Sequence, residues 1–387
     1  MVKAIKVMLI PNNVQKTKMF QYAGASRFAY NWALAREIEN YEKGGKFISD
    51  AELRKEFTKL RHSDEYAWLL NISNNVTKQA IKDACTAYKN FFKGLQKFPR
   101  FKSKKRSMPK FYQDNVKIQF SNTHVKFEGF SSSRKANKQK MNWVRLAEHG
   151  SIPTDAKYMN PRISFDGLNW WISVCVEFPD CRETLNDDGV GIDLGIKDLA
   201  VCSDGTKYKN INKSQKVKKS EKQKRRLQRS ISRSYEKNKK GESYCKTNNV
   251  IKKEKLLLKR NHRLTNIRKN YLNQTISEII NRKPRFICIE DLNVSGMMKN
   301  RHLSKAVQEQ GFFWFRKQLE YKCSDKGIQL IVADRFYPSS KLCSCCGNIK
   351  KDLKLSDRVY RCECGNMIDR DFQASINLKT YGEKFAS

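Results

Sequence analysis

The chain has 387 residues, 39% of them hydrophobic, with 78 Lys plus Arg against 39 Asp plus Glu and a formal net charge of +39. That length holds two or three domains with cores of their own and excludes a minimal disulfide-stapled fold. A cationic excess of this size argues against a self-contained globule and for a polyanionic partner.

The first residues, Met1 to Ile10, lack the long apolar core of a signal peptide, and no stretch approaches the roughly 18 apolar residues that span a membrane. Twelve cysteines, four of them in a metal-like pattern, suit a reducing cytoplasm better than a disulfide framework. Cys85, Cys175, Cys202, Cys288 and Cys323 lie in apolar or amphipathic runs and read as core or near-core thiols.

In chain order, Lys3 to Ile10 predicts a first strand. Helices follow from about 12 to 95: Phe28 and Trp32 stand one turn apart, and Ser49 with Glu52 forms a capping box before Leu53, Phe57 and Leu60. Val76, Ala80, Ala84, Tyr88 and Phe91 mark a later helix. The run Phe98-Pro99-Arg100-Phe101-Lys102 to Arg106 is a basic loop carrying two aromatics. Alternation then predicts strands, with Val116, Ile118 and Phe120 pointing one way, and Trp170, Ile172, Val174, Val176 and Phe178 doing so after an Asp166-Gly167 turn. Residues 1–11 and 100–180 thus read as one β-barrel-like domain into which the helices are inserted. Asn186-Asp187-Asp188-Gly189 reads as the junction to the next domain.

From Val190 the pattern is α/β. Val190 to Leu194, Leu199 to Cys202, Arg285 to Ile289 and Ile328 to Ala333 predict strands, with a long helical stretch containing Leu264, Ile267 and Tyr271 between them. Residues 206–269 hold 24 Lys plus Arg and 4 Asp plus Glu, a net +20, about half of the whole excess. Arg225, Arg226 and Arg229 lie in this run, placed to grip a phosphate backbone.

Three acids sit where metal ligands belong. Asp193 and Glu290 each end an apolar strand, and Asp371 opens a helix containing Ala374 and Leu378. Hydrolysing a phosphodiester needs an activated water and charge neutralisation on the leaving oxygen, which two cations held by hard oxygen ligands supply. Asp193 is the expected shared ligand for Mg2+, or Mn2+, with Glu290 and Asp371 flanking. Asp198, Asp291 and Asp369 are near neighbours that could take these roles.

Between the second and third acids lie Cys343-Ser344-Cys345-Cys346-Gly347 and Cys362-Glu363-Cys364-Gly365. Two cysteine pairs, each followed by glycine, suit two knuckles around a structural zinc, with Cys343, Cys346, Cys362 and Cys364 as ligands. Cys345 is left over, and none of the five histidines lies in the module.

On these residues the chain resembles the TnpB family, transposon-encoded RNA-guided DNA endonucleases related to miniature type V CRISPR effectors. The resemblance rests on Gly191-Ile192-Asp193-Leu194-Gly195-Ile196-Lys197, Ile289-Glu290-Asp291-Leu292, Pro338-Ser339-Ser340 ahead of Cys343, and Asp369-Arg370-Asp371 followed by Ala374 and Asn377. Tyr30-Asn31, Ala87 to Phe92 and Phe98-Pro99-Arg100-Phe101 add to it. It implies a multidomain α+β chain. A RuvC-type, RNase H-like nuclease domain at 188–337 and 369–387 would be interrupted by a zinc ribbon at 338–368. A wedge barrel at 1–11 and 100–183 would carry an inserted helical recognition domain at 12–99. It further implies a guide RNA from the transposon end, a double-stranded DNA target beside a short adjacent motif, and Asp193, Glu290 and Asp371 as the nuclease triad. Similarity places Asn74 and Lys78 on the adjacent-motif DNA, while Arg100, Phe101 and Lys102 are expected to hold guide and heteroduplex. Gln373 stands where the family usually has Asn, and Ser375 where it has a second Ala, substitutions expected to soften packing around Asp371.

The expected activity is therefore metal-dependent, RNA-guided cutting by a cytoplasmic monomer or weak dimer. The alternatives are a miniature type V CRISPR effector, a non-catalytic regulator of transposition, and a transposase that joins DNA directly. Intact acids argue against the regulator, and a transposase would need no structured RNA.

Overall fold

The computed structural model describes residues 1–130, 141–179, 182–354 and 357–386. The chain divides into two compact units, Met1–Pro179 and Asp180–Ser387. The division precedes the expected junction because Asn186 is already fastened to the second unit. Its amide donates to Lys283 O at 2.7 Å and its side chain to Arg282 O at 2.7 Å.

In the first unit, β1 (Val2–Ile10) leads into α1 (Asn13–Glu42), α2 (Asp50–Arg61) and α3 (Asn74–Phe92). The capping box at Ser49 forms as expected, Glu52 Oε2 accepting from Ser49 N at 2.9 Å. Six further strands follow: β2 (Lys110–Tyr112), β3 (Gln119–Phe120), β4 (His124–Lys126), β5 (Trp143–Leu146), β6 (Tyr158–Phe165) and β7 (Trp170–Glu177). They join β1 in one antiparallel sheet ordered β2-β6-β7-β1-β5-β4-β3. The sheet curls, since Glu128 N, just beyond β4, donates to Gln113 Oε1, just beyond β2, at 3.0 Å. Its inward side chains, among them Val7, Phe111, Val144, Trp170 and Ile172, join Met19, Tyr22, Phe57 and Tyr88 of the helices in one continuous core.

The strand expected over Val116 to Phe120 is corrected. Asp114 Oδ1 accepts from the amides of Val116 at 3.0 Å and Lys117 at 3.1 Å, an Asx turn that breaks the alternation. Val116 is 88% exposed, while Ile118 and Phe120 are buried.

The second unit is built on a five-stranded sheet of β8 (Val190–Leu194), β9 (Asp198–Cys202), β10 (Lys207–Lys209), β13 (Phe286–Glu290) and β14 (Gln329–Ala333), ordered β10-β9-β8-β13-β14. β8, β13 and β14 run parallel and β9 antiparallel to β8, which makes the sheet mixed. The long helices α4 (Gln215–Lys237) and α5 (Asn248–Asn281) flank a two-residue-per-strand hairpin of β11 (Lys239–Lys240) and β12 (Ser243–Tyr244). Three helices lie between β13 and β14: α6 (Val294–Lys299), α7 (Ser304–Gln310) and α8 (Phe312–Lys326). A hairpin of β15 (Val359–Arg361) and β16 (Met367–Asp369) runs directly into α9 (Arg370–Glu383).

Strands buried on both faces are apolar throughout, and the sheet uses its faces differently. Ile192, Ile287 and Ile289 pack toward Leu272, Ile276 and Ile279 of α5 and Phe315 and Leu319 of α8. Phe286, Cys288, Ile331 and Ala333 form a second cluster with Leu378 of α9.

Candidate active site

Parallel pairing of β8 with β13 aligns Gly191 with Cys288 and Ile192 with Ile289. Continued by one residue, that register sets Asp193 beside Glu290 at the carboxyl ends of neighbouring strands, where α/β sheets hold ligands. Side chains alternate along a strand, so Asp193 shares a face with Gly191 and Glu290 shares one with Cys288. This is the face that α9 covers.

The covering helix comes very close. A Cβ on Gly191 would stand 2.0 Å from Ser375 O, and one on Gly382 would stand 2.3 Å from the Phe286 ring. The missing side chains at these two glycines allow α9 to lie on β8 and β13, which brings its first turn to the two acids.

Asp193, Glu290 and Asp371 line one open pocket of about 610 Å³, together with Lys197, Lys213, Ser340, Arg358 and Arg370. Burial raises the Asp193 carboxyl well above its ordinary range, and the charges of Glu290 and Asp371 add to this while Arg370 opposes it. Burial also raises Glu290, offset in part by the hydroxyl of Ser339, which donates to Glu290 Oε1. Arg370 Nη2 lies 3.1 Å from Asp371 Oδ1.

The neighbouring acids have other work. Asp369 caps α9, accepting from Asp371 N at 3.1 Å and Phe372 N at 3.0 Å. Asp291 is held by Arg316 at 2.7 Å and Arg335 at 2.5 Å, which keep it below the usual carboxylate range. Asp198 starts β9 and does not line the pocket.

Crowded carboxylates suit cations, and the donor set is all hard oxygen.

The cysteine module fits a tetrahedral ion closely. Cys343 Sγ lies 3.6 Å from Cys364 Sγ, and Cys346 Sγ lies 3.5 Å from Cys362 Sγ. A tetrahedron with Zn–S bonds of about 2.3 Å has edges of about 3.8 Å. Burial pushes the Cys343 thiol up, but the amides of Cys346 and Cys345 and the Asn366 side chain bring it down to about 6. Cys345 is exposed and outside the cluster.

Gln373 and Ser375 are both fully buried. Gln373 Nε2 donates to Leu342 O at 2.7 Å while its Oε1 accepts from Ser344 Oγ at 2.9 Å. Ser375 Oγ returns to Phe372 O at 2.7 Å. The longer amide spans from α9 to the knuckle.

The expected nucleic-acid contacts fall into separate places. Arg225, Arg226 and Arg229 of α4 line a basic pocket with Lys218, Lys222 and Lys305. Arg268 of α5 neutralises the acids beside them, lying 3.1 Å from Glu221 and 3.3 Å from Glu309. In the other unit, Asn74 opens α3, with the exposed Lys78 one turn on. Arg100 and Phe101 are exposed. Lys102 instead turns its ammonium onto the Tyr30 ring, and its backbone pairs both ways with the Asn31 side chain at 2.8 Å. Sequence reasoning passed over Lys213, Ser339 and Arg358. Arg358 sits in a polar loop with no pattern to mark it, whereas Ser339 belongs to the Pro338-Ser339-Ser340 run, where nothing local gives it a role.

Known proteins bear on this geometry. Residues 173–301 match a family model described as "Probable transposase", 312–378 one described as "Cas12f1-like, TNB domain", and 1–46 one described as "Helix-turn-helix domain". "Putative RNA-guided DNA endonuclease InsQ" of Escherichia coli (strain K12) is 30% identical over 379 residues, covering 93% of this chain and 87% of that protein.

The chain belongs to the TnpB family.

A second TnpB-like relative, "Putative RNA-guided DNA endonuclease" of Streptomyces pristinaespiralis, is 28% identical, covering 98% of this chain and 89% of that one. The fold is similar to that in the "Cryo-EM structure of the Cas12f1-sgRNA-target DNA complex", with a TM-score of 0.60 at 12% identity and 98% coverage of both chains. In this TnpB-family chain the segment matching the helix-turn-helix model is one strand and one uninterrupted 30-residue helix. No helix among the described residues is long and apolar enough to cross a membrane.

Proposed function

We propose that the chain is an RNA-guided endonuclease of a transposable element that cuts double-stranded DNA beside a short adjacent motif. One observation carries the reading: Asp193 and Glu290 end adjacent parallel strands on the face where α9 brings Asp371 into the same pocket. Asp193, Glu290 and Asp371 would hold two Mg2+ ions, or Mn2+, and Cys343, Cys346, Cys362 and Cys364 a structural zinc. Bound there, the ions supply charge neutralisation and an acidified water. The Asp193 carboxyl would hold them in its ionised form, the form that coordinates a cation. Lys197, Lys213, Arg358 and Arg370 stand around the acids and draw the scissile phosphate to them.

Sequence choice then belongs to base pairing, and the protein reads heteroduplex shape and the adjacent motif. Arg225, Arg226 and Arg229 would grip phosphates, Arg100 would do the same, and Phe101 would stack on a base, with Lys102 fixing their loop through Asn31. Asn74 and Lys78, one turn apart on α3, would meet the adjacent-motif DNA. The layout is a wedge at 1–11 and 100–183, recognition helices at 12–99, nuclease at 188–337 and 369–387, and a zinc ribbon at 338–368, working in the cytoplasm as a monomer or weak dimer.

The test is purification of the full chain with the RNA it retains, followed by cleavage of plasmid DNA matching that RNA before and after ribonuclease treatment. Cleavage that vanishes with the RNA supports the reading. Undiminished cutting without RNA points to a directly acting transposase.

A further inference from the structure

The second carboxylate does not stand alone. Ser339, between β14 and the first knuckle, is buried and donates its hydroxyl to Glu290 Oε1. Its carbonyl accepts from Asn377 Nδ2 at 2.7 Å, and the same amide reaches Leu342 O at 2.7 Å, one residue before Cys343. Gln373 Nε2 donates to that carbonyl too, at 2.7 Å. Both amides belong to α9, the helix that opens with Asp371. A connected set of polar contacts thus runs from the cysteine knuckle through α9 and Ser339 to Glu290. Buried networks of this kind specify one arrangement when all members are satisfied.

The last torsion of a glutamate is broad, so the carboxyl plane turns freely unless something fixes it. A hydroxyl on one oxygen fixes that plane. Ordering it before an ion arrives removes a cost from ion binding, the usual task of a residue behind a metal ligand.

We propose that Ser339 is the positioning residue for Glu290, and that the four-cysteine module, joined to Ser339 through Asn377 and to α9 through the Gln373 and Asn377 bonds to Leu342, sets the divalent-ion affinity of the nuclease site. This rests on the nuclease reading above. It also gives the ribbon a task at the active site besides any contact with nucleic acid.

The experiment is titration of Mn2+ into the full-length, zinc-loaded, RNA-bound chain, with free Mn2+ read by electron paramagnetic resonance. Mn2+ is hard enough to prefer carboxylates over thiolates. Ser339→Ala is expected to weaken binding about tenfold, in line with other residues behind metal ligands. Ser339→Thr, which keeps the hydroxyl, is expected to restore most of that loss. Cys362→Ser is expected to weaken Mn2+ binding as well, although it lies outside the carboxylate pocket. Wild-type Mn2+ affinity in Ser339→Ala overturns the positioning role, and wild-type affinity in Cys362→Ser overturns the link to the module. Asp193→Ala is the control: if it leaves Mn2+ binding intact, the carboxylate site itself is wrong, and the proposal falls with it.

Discussion

Gly191 of β8 lies directly beneath Ser375 of α9, so close that a Cβ on the glycine would stand 2.0 Å from the Ser375 carbonyl oxygen and 2.4 Å from Lys379 N. Both obstacles are backbone, which cannot swing aside as a flexible side chain would. Gly191→Ala should therefore push α9 off the sheet and carry Asp371 away from Asp193. We expect a stability loss of about 3 kcal/mol in urea unfolding and loss of cleavage with RNA binding retained. Near-wild-type cutting by Gly191→Ala would contradict this packing.

Asn377 offers a second handle on the same helix. It is buried, and its amide meets the carbonyls of Ser339 and Leu342. Asn377→Ala strands the Ser339 carbonyl, at about 1–3 kcal/mol, while Leu342 O keeps its bond from Gln373 Nε2. A drop of more than about 1 kcal/mol in denaturant unfolding, with no change for the exposed neighbour variant Thr380→Ala, is the expected result.

The raised carboxyls of Asp193 and Glu290 make stability depend on pH in a definite direction. The folded chain holds these protons at pH values where the unfolded chain has released them. Stability from this site is therefore greatest at low pH and falls as pH rises from the ordinary carboxylate range through the raised values. In buffer freed of Mg2+ and Mn2+, Asp193→Asn should raise the thermal midpoint at pH 7.5 by on the order of 3 °C. It should lose that advantage near pH 4. Added Mg2+ should stabilise the wild type and not the variant.

The cysteine cluster predicts zinc content. Cys345→Ser should keep one zinc per chain by atomic absorption, because Cys345 stands outside the cluster. Cys346→Ser should lose it. Equal zinc in both variants would move the site.

Much of this was legible in the sequence because the site rests on short-range rules. Strands buried on both faces are apolar runs, so an acid at the end of one stands out, as Asp193 and Glu290 do. The knuckles announce themselves by spacing. Val116 misled because period two is common to strands and to chance, and Asp114 Oδ1 took the Val116 and Lys117 amides into a turn. Lys102 reads as another cation in a basic run, and no local pattern reveals that α1 supplies Tyr30 and Asn31 to hold it. The parts of Gln373 and Ser339 were hidden for the same reason: each is defined by a partner more than 25 residues away.

The central claim is that three carboxylates act as one site. The most direct measurement is the single-turnover rate of DNA cleavage by the RNA-bound chain carrying Asp193→Ala, Glu290→Ala or Asp371→Ala, each checked for bound RNA and zinc. The account predicts a fall of at least about a thousandfold for each, the scale of several kcal/mol of metal-borne stabilisation. Cleavage within about tenfold of wild type for any one of the three, with RNA and zinc retained, would contradict it.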